Sequence, residues 1–100
     1  MQIAKVRGTV VSNQKEPSLR GAKLLLLQFV DEEGIPISGY EVAADSVGAG
    51  FDEWVLVTRG SAARQAEGNE NRPIDALVVG IIDTVSVENR LIYSKKDDSR

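Results

Sequence analysis

Cysteine and histidine are both absent from the 100 residues. Without cysteine there can be no disulfide, no thiolate nucleophile and no cysteine-based zinc site. Without histidine the commonest general base near neutral pH and the commonest transition-metal ligand are gone as well. Aromatic residues are few: Phe29, Tyr40, Phe51, Trp54 and Tyr93 make up the whole set, so stacking platforms are scarce. Positive charge is also in short supply. Twelve Lys and Arg against fifteen Asp and Glu leave a net charge of -3, which lacks the field that phosphate neutralisation requires and argues against nucleic acid as a partner. No apolar run reaches membrane-spanning length, and the start, Met1-Gln2-Ile3-Ala4-Lys5-Val6, has no leader pattern. These absences predict a soluble intracellular protein with no membrane partner, no metal and no cofactor.

What is present is β-sheet patterning. One domain is expected over residues 1–94, followed by a polar tail at 95–100, and a chain this small gains from oligomerisation because much of its surface stays exposed alone. From Gln2 to Ser12 apolar and polar residues alternate with period two, interrupted by Gly8, where a bulge or a bend is expected. Asn13 to Gly21 is a polar loop. Lys23 to Val30 (K-L-L-L-L-Q-F-V) is apolar on both faces and, with Asp31-Glu32-Glu33-Gly34 behind it, is predicted as a strand forming a hairpin with Ile35 to Ala43. A lone barrel covers only the inner face of Leu24 to Leu27, so the outer one suggests a subunit interface. Trp54-Val55-Leu56-Val57 is a third type of strand, rich in aromatic and β-branched residues.

Glycines bracket that strand. Gly48-Ala49-Gly50 precedes it and Gly60 ends it, with Ser61 placed to cap one short helical turn through Ala62, Ala63 and Arg64. Gln65 to Arg72 reads as an exposed loop. Pro73 to Val87 is a second long β run with Gly80 at its middle, and Leu91 to Tyr93 a last short strand. The result is an all-β chain: a five-stranded OB-like barrel with at most one short helix.

None of the candidate chemical motifs completes a site. Gly48-Ala49-Gly50 lacks the third glycine and the following helix of a dinucleotide fingerprint. Asp45, Asp52 and Glu53 are near one another in sequence but too few for a calcium loop, and a solvated loop or an inter-subunit salt bridge is favoured over an acid–base pair. Asp75 and Asp83 flank the last long run as turn caps. Ser61 lies in no nucleophile elbow and has no histidine to activate it. Arg59 and Arg64, on either side of Gly60-Ser61, make an anion-attracting spot, although salt bridges to a neighbour's carboxylate are the expected use.

The combination V-G-A-G-F-D-E-W-V-L-V-T-R-G-S-A-A-R, then R-P-I-D-A-L-V-V-G-I-I-D-T-V, with A-K-V-R-G-T-V-V-S and L-R-G-A-K-L-L-L-L-Q before it, resembles the vertex proteins of bacterial microcompartments. Within that family it is most similar to the members from the cyanobacterial β-carboxysome. The resemblance implies an OB-like barrel assembled as a homopentamer at the five-fold corners of a polyhedral shell in the cytoplasm. Hexameric carboxysome shell proteins would be its partners, carbon dioxide concentration and fixation its context, and no catalysis is implied. Because ring interfaces are heterologous, Gly48, Ala49, Gly50 and Gly60, Ser61, Ala62, Ala63, Arg64 are expected on one side and Leu24 and Leu26 on the other, with Ser61 and Ala62 at the pore. The runner-up is an OB-fold module for single-stranded nucleic acid or an oligosaccharide.

Overall fold

The computed structural model describes residues 1–12, 17–19, 21–64 and 74–98. The predicted loop at Gln65 to Arg72 lies outside the described residues. Five strands close a barrel: β1 (Gln2–Val10), β2 (Lys23–Val30), β3 (Pro36–Asp45), β4 (Trp54–Arg59) and β5 (Ala76–Ile81), in ring order β1-β2-β3-β5-β4. All neighbours are antiparallel except β3 and β5, which run parallel and meet through two residue pairs, Ala44 with Leu77 and Asp45 with Val78. The OB-like barrel expected from the sequence is the fold observed.

The period-two pattern sets which side chains go inside. Ala4 and Val6 of β1, Leu25 and Leu27 of β2, Ala43 of β3, Val55 and Val57 of β4, and Ala76 and Val78 of β5 fill the interior. Leu27, Val55, Val57 and Val78 are fully buried, each worth about 1.5–3 kcal/mol relative to exposure. Gly8 lies beside a bulge, as its position predicts: Val6 pairs with Leu27 and Gly8 with Leu26, leaving Arg7 as the extra residue. Gly80 sits at a second bulge, because Leu56 pairs with Gly80 and Val57 with Val78. Such extra residues curl the sheet enough to close it.

Beyond Ile81 the sequence expectation of one continuous run is corrected. The chain breaks at Asp83 and folds as a separate two-stranded hairpin, β6 (Thr84–Val87) and β7 (Arg90–Ser94). Its turn residues, Glu88 and Asn89, both have positive φ, 50° and 64°, the signature of a two-residue type I′ connection. The hairpin lies across the outer face of β1 and β4. There the Trp54 and Tyr93 rings stack with centroids 4.3 Å apart and planes 14° apart, and Val30, Ile82, Ile3, Leu56, Val85 and Ile92 complete a second apolar cluster. Trp54 is therefore buried, as its strand suggested, but outside the barrel. Gly34, at φ 79°, passes so close that a Cβ on it would lie 2.9 Å from both the Trp54 ring and Ile92.

The sequence allowed one short helix, after Gly60. That turn, α1 (Ser61–Arg64), is present, and two more accompany it: a 3-10 turn at Pro17–Leu19 within the predicted polar loop, and α2 (Lys95–Asp98). The start of the tail is thus not simply solvated: the Lys95 amide donates to the Asp83 carbonyl at 2.8 Å, and its ammonium meets Glu53 at 2.7 Å.

Candidate assembly surface

Both mouths of the barrel are stopped by the chain itself. At one, the inward-facing rows of four strands end in Gln2, Phe29, Glu41 and Arg59. The Arg59 guanidinium lies 5.6 Å from the Phe29 ring centroid, 2.7 Å from a Glu41 oxygen and 3.3 Å from Gln2 Oε1. Arg59 is therefore directed inward over the mouth onto partners of its own chain, while the other half of the expected anion-attracting pair, the Arg64 side chain, lies outside the described residues.

The other mouth is closed by the loop between β3 and β4. The Asp45 side chain, fully buried, accepts hydrogen bonds from the amides of Val47, Gly48 and Ala49 at 2.9–3.1 Å. Lys23 Nζ stands 3.6 Å from the same carboxylate and donates to the Ala49 carbonyl at 3.2 Å. This gathering of donors seats Ala49, 1% exposed, among the barrel core residues. At the far end of the loop the Gly50 amide donates to Glu53 Oε1 at 2.6 Å, and Asp52, at φ 68°, pairs with Lys5 at 3.4 Å. Lys95, and then the Gly50 amide, hold the Glu53 carboxyl below its ordinary value, and Glu53 in turn holds Lys95 above its own. The three carboxylates that the sequence placed together thus have separate partners within the chain. Asp45 is a buried loop anchor, which corrects the expectation of a solvated or inter-subunit role. Among the described residues no group of three or more Asp and Glu is arranged to hold a metal ion.

Of the residues expected at a subunit interface, two are already used inside the subunit. Ala49 plugs the barrel. Ala63, with no exposed surface, packs on Ala44, Ile74 and Leu77, with Leu19 and Leu24 against the same cluster. Leu24 and the α1 turn therefore pack in one cluster on the same side of the barrel within the subunit. Gly60, not Ser61, precedes that turn: its φ is 65°, its carbonyl accepts the Ala63 amide at 3.1 Å, and its own amide donates to Asp75 at 2.7 Å. Ser61 is thus the first residue of the turn rather than its cap. Gly48, Gly50, Gly60, Ser61 and Ala62 are exposed, and Leu24 and Leu26 are half-buried; the Arg64 side chain lies outside the described residues.

Two exposed outer-face residues that the sequence expectation did not name are on β3. Register places Tyr40 beside Gln28 and Val42 beside Leu26 on the outer face. Tyr40 is 72% and Val42 39% exposed. Alternation about the buried Ala43 is the signal that could have found them. Around the barrel, among the described residues, the hairpin covers β1 and β4, α1 and the Pro17–Leu19 turn cover the β3–β5 seam and the Leu24–Ala44 end of the outer β2–β3 face, and Leu26, Tyr40 and Val42 on the rest of that face have no element over them. A groove of about 500 Å3 also opens beside the hairpin, floored by Ile3, Leu56, Ile81 and Ile82 and edged by Thr84, Val85 and Ser86.

A filled, twice-stopped barrel with a partly covered apolar flank defines a small OB-like building block. The model of the family described as ethanolamine utilisation protein EutN/carboxysome matches residues 1–83, and the chain belongs to that family. It is 77% identical to the carboxysome shell vertex protein CcmL of Nostoc sp. and 70% identical to that of Gloeobacter violaceus, with full coverage of both chains in each comparison. The solved structure of Gloeobacter violaceus CcmL superposes with a TM-score of 0.93 at 71% identity, covering 97% of this chain and all of the other. The pentameric microcompartment shell protein GrpN from Rhodospirillum rubrum superposes with a TM-score of 0.80 at 48% identity, covering 87% and 99%.

Proposed function

We propose that this chain is a carboxysome shell vertex protein, assembling as a homopentamer at the five-fold corners of a polyhedral shell in the cytoplasm and acting without catalysis. The observation that carries this is co-extensive similarity: 77% identity from end to end with a carboxysome shell vertex protein, with no segment of either chain left over. A sheet of hexagonal tiles cannot close on itself without five-fold defects, and a pentamer supplies one. Hexameric shell proteins are its proposed partners at the corner, and retention of carbon dioxide near the carboxylase is the consequence of closure. The barrel suits such a role because its interior is occupied by side chains and both mouths are stopped. Ser61 and Ala62, exposed on the α1 turn, are the proposed pore-lining residues. The oligonucleotide-binding alternative has little to stand on, since Tyr40 is the one described aromatic on the outer β2–β3 face and the net charge is -3.

Native mass spectrometry of the purified chain gives the first test, with a pentamer expected. Mixing that pentamer with hexameric carboxysome shell proteins and imaging the product by electron microscopy gives the second, with closed particles expected only when the chain is present. A stable monomer at micromolar concentration overturns the proposal.

A further inference from the structure

We infer that residues 47–51 form a lid over one mouth of the barrel, able to open as a unit while the strands stay paired, and that Lys95, at the start of the tail, is the strap that holds it shut. The first observation is what the backbone of this segment is bonded to. The amides of Val47, Gly48 and Ala49 donate to the Asp45 carboxylate, and that of Gly50 donates to Glu53 Oε1. Four consecutive amides are thus held by two side chains rather than by a neighbouring strand. The bonds that tie the loop to the barrel lie just outside it. Ser46 donates to the Val78 carbonyl through its amide at 3.4 Å and its hydroxyl at 2.8 Å, and the Asp52 amide donates to the Val6 carbonyl at 2.9 Å. The stretch between these anchors can lift without parting any strand pair.

The second observation is how little the segment buries. Ala49 alone enters the core, while Val47, Gly48, Gly50 and Phe51 are exposed. Closure therefore rests on the two carboxylates more than on apolar contact, and segments with few buried apolar contacts open at a lower free energy than the whole fold. The opposite mouth has no such freedom, because Arg59, Glu41, Gln2 and Phe29 project from the strands themselves. The third observation supplies the strap. One Glu53 oxygen takes the Gly50 amide at 2.6 Å and the other takes the Lys95 ammonium at 2.7 Å, while the Lys95 amide is anchored to the Asp83 carbonyl at 2.8 Å. Lys95 is a positioning residue: it fixes Glu53 where that carboxylate can hold the lid. A partner that drew the tail aside would loosen the barrel mouth.

Amide exchange of the purified protein, resolved residue by residue by NMR, tests this with Lys95→Met and Lys95→Arg. Lys95→Met is expected to lower protection at Val47, Gly48, Ala49 and Gly50 together, by about two- to fivefold, the range of a partly exposed ion pair. The β4 amides of Val55 and Val57 are expected to keep their protection, and Lys95→Arg to exchange as wild type does. Lid amides unprotected in the wild type, no change in Lys95→Met, a change confined to Gly50, an equal change in β4, or an arginine variant that behaves like the methionine one each overturns the inference.

Discussion

Two outer flanks of the same barrel are treated in opposite ways. Over β1 and β4 the chain folds its own hairpin down, stacks Tyr93 on Trp54 and fits Gly34 against both Trp54 and Ile92. Over β2 and β3 the described residues cover only the Leu24–Ala44 end, with Leu19 and Ala63, leaving Tyr40 and Val42 exposed beside the half-buried Leu26. Both flanks are apolar, and the difference lies in where the cover comes from. A flank covered within the chain contributes to the stability of one subunit, whereas a flank left bare can contribute only when another molecule arrives. The covered side is therefore where folding is expected to be sensitive to mutation, and the bare side where assembly is.

Substitutions on the two flanks should separate these effects. Trp54→Ala is expected to be the most damaging, costing about 3–5 kcal/mol as the hairpin loses its anchor; urea unfolding at a fixed protein concentration measures it, and a midpoint near wild type would mean the hairpin stabilises little. Gly34→Ala forces a Cβ to within 2.9 Å of Trp54 and Ile92 at a positive φ, so a loss of roughly 2–4 kcal/mol is expected from overpacking and backbone strain together. Val42→Ser on the bare flank should cost the subunit fold less than about 1 kcal/mol, because a partly exposed side chain has little burial to lose. It should nevertheless lower the pentamer fraction seen by native mass spectrometry at limiting concentration. Equal effects of Trp54→Ala and Val42→Ser on both readouts would erase the contrast between the flanks.

The smallest effect is expected at neither flank but at the clasp between Glu53 and Lys95, and its sign is set by pH. Glu53 has a lowered folded pKa, so its contribution is complete above the ordinary value of 4.5 and fades as pH falls through the folded one. Lys95 has a raised folded pKa, so its contribution is complete below the ordinary 10.5 and fades as pH rises through the folded one. The urea midpoint of Glu53→Gln should thus lie below wild type at neutral pH and converge on it in acid. A gap that persists unchanged below the folded Glu53 pKa would assign the effect to packing instead.

Much of the barrel was legible because alternation is local. Ala4 and Val6, Leu25 and Leu27, Val55 and Val57 point inward as period two requires, and Gly8 marks a bulge because a glycine within a strand pattern usually has such a reason. The hairpin was not legible because its signals are weak where they matter. Ile81-Ile82-Asp83-Thr84 contains no glycine or proline to announce a break, and Glu88 is a poor advertisement for a positive-φ turn. The candidate surface was partly legible for a different reason. Small residues signal close approach without saying of what: Ala49 and Ala63 are close-packed against their own chain, whereas Gly60, Ser61 and Ala62 remain on the surface. Gly34 resolved only in three dimensions, since the residues that forbid a side chain there are far along the sequence.

The parallel closure of β3 onto β5 has a kinetic consequence. It joins the barrel through two residue pairs, Ala44 with Leu77 and Asp45 with Val78, whose members lie more than thirty positions apart in the sequence, whereas the β2–β3 hairpin forms across a short turn. Contacts between distant segments carry the larger loop-closure entropy and tend to form late in folding. Ala63 of α1 rests on both Ala44 and Leu77, so the turn bearing Ser61 and Ala62 gains its seat only after that last seam shuts. Amide exchange would register that dependence as coupled opening of α1, Ala44 and Leu77.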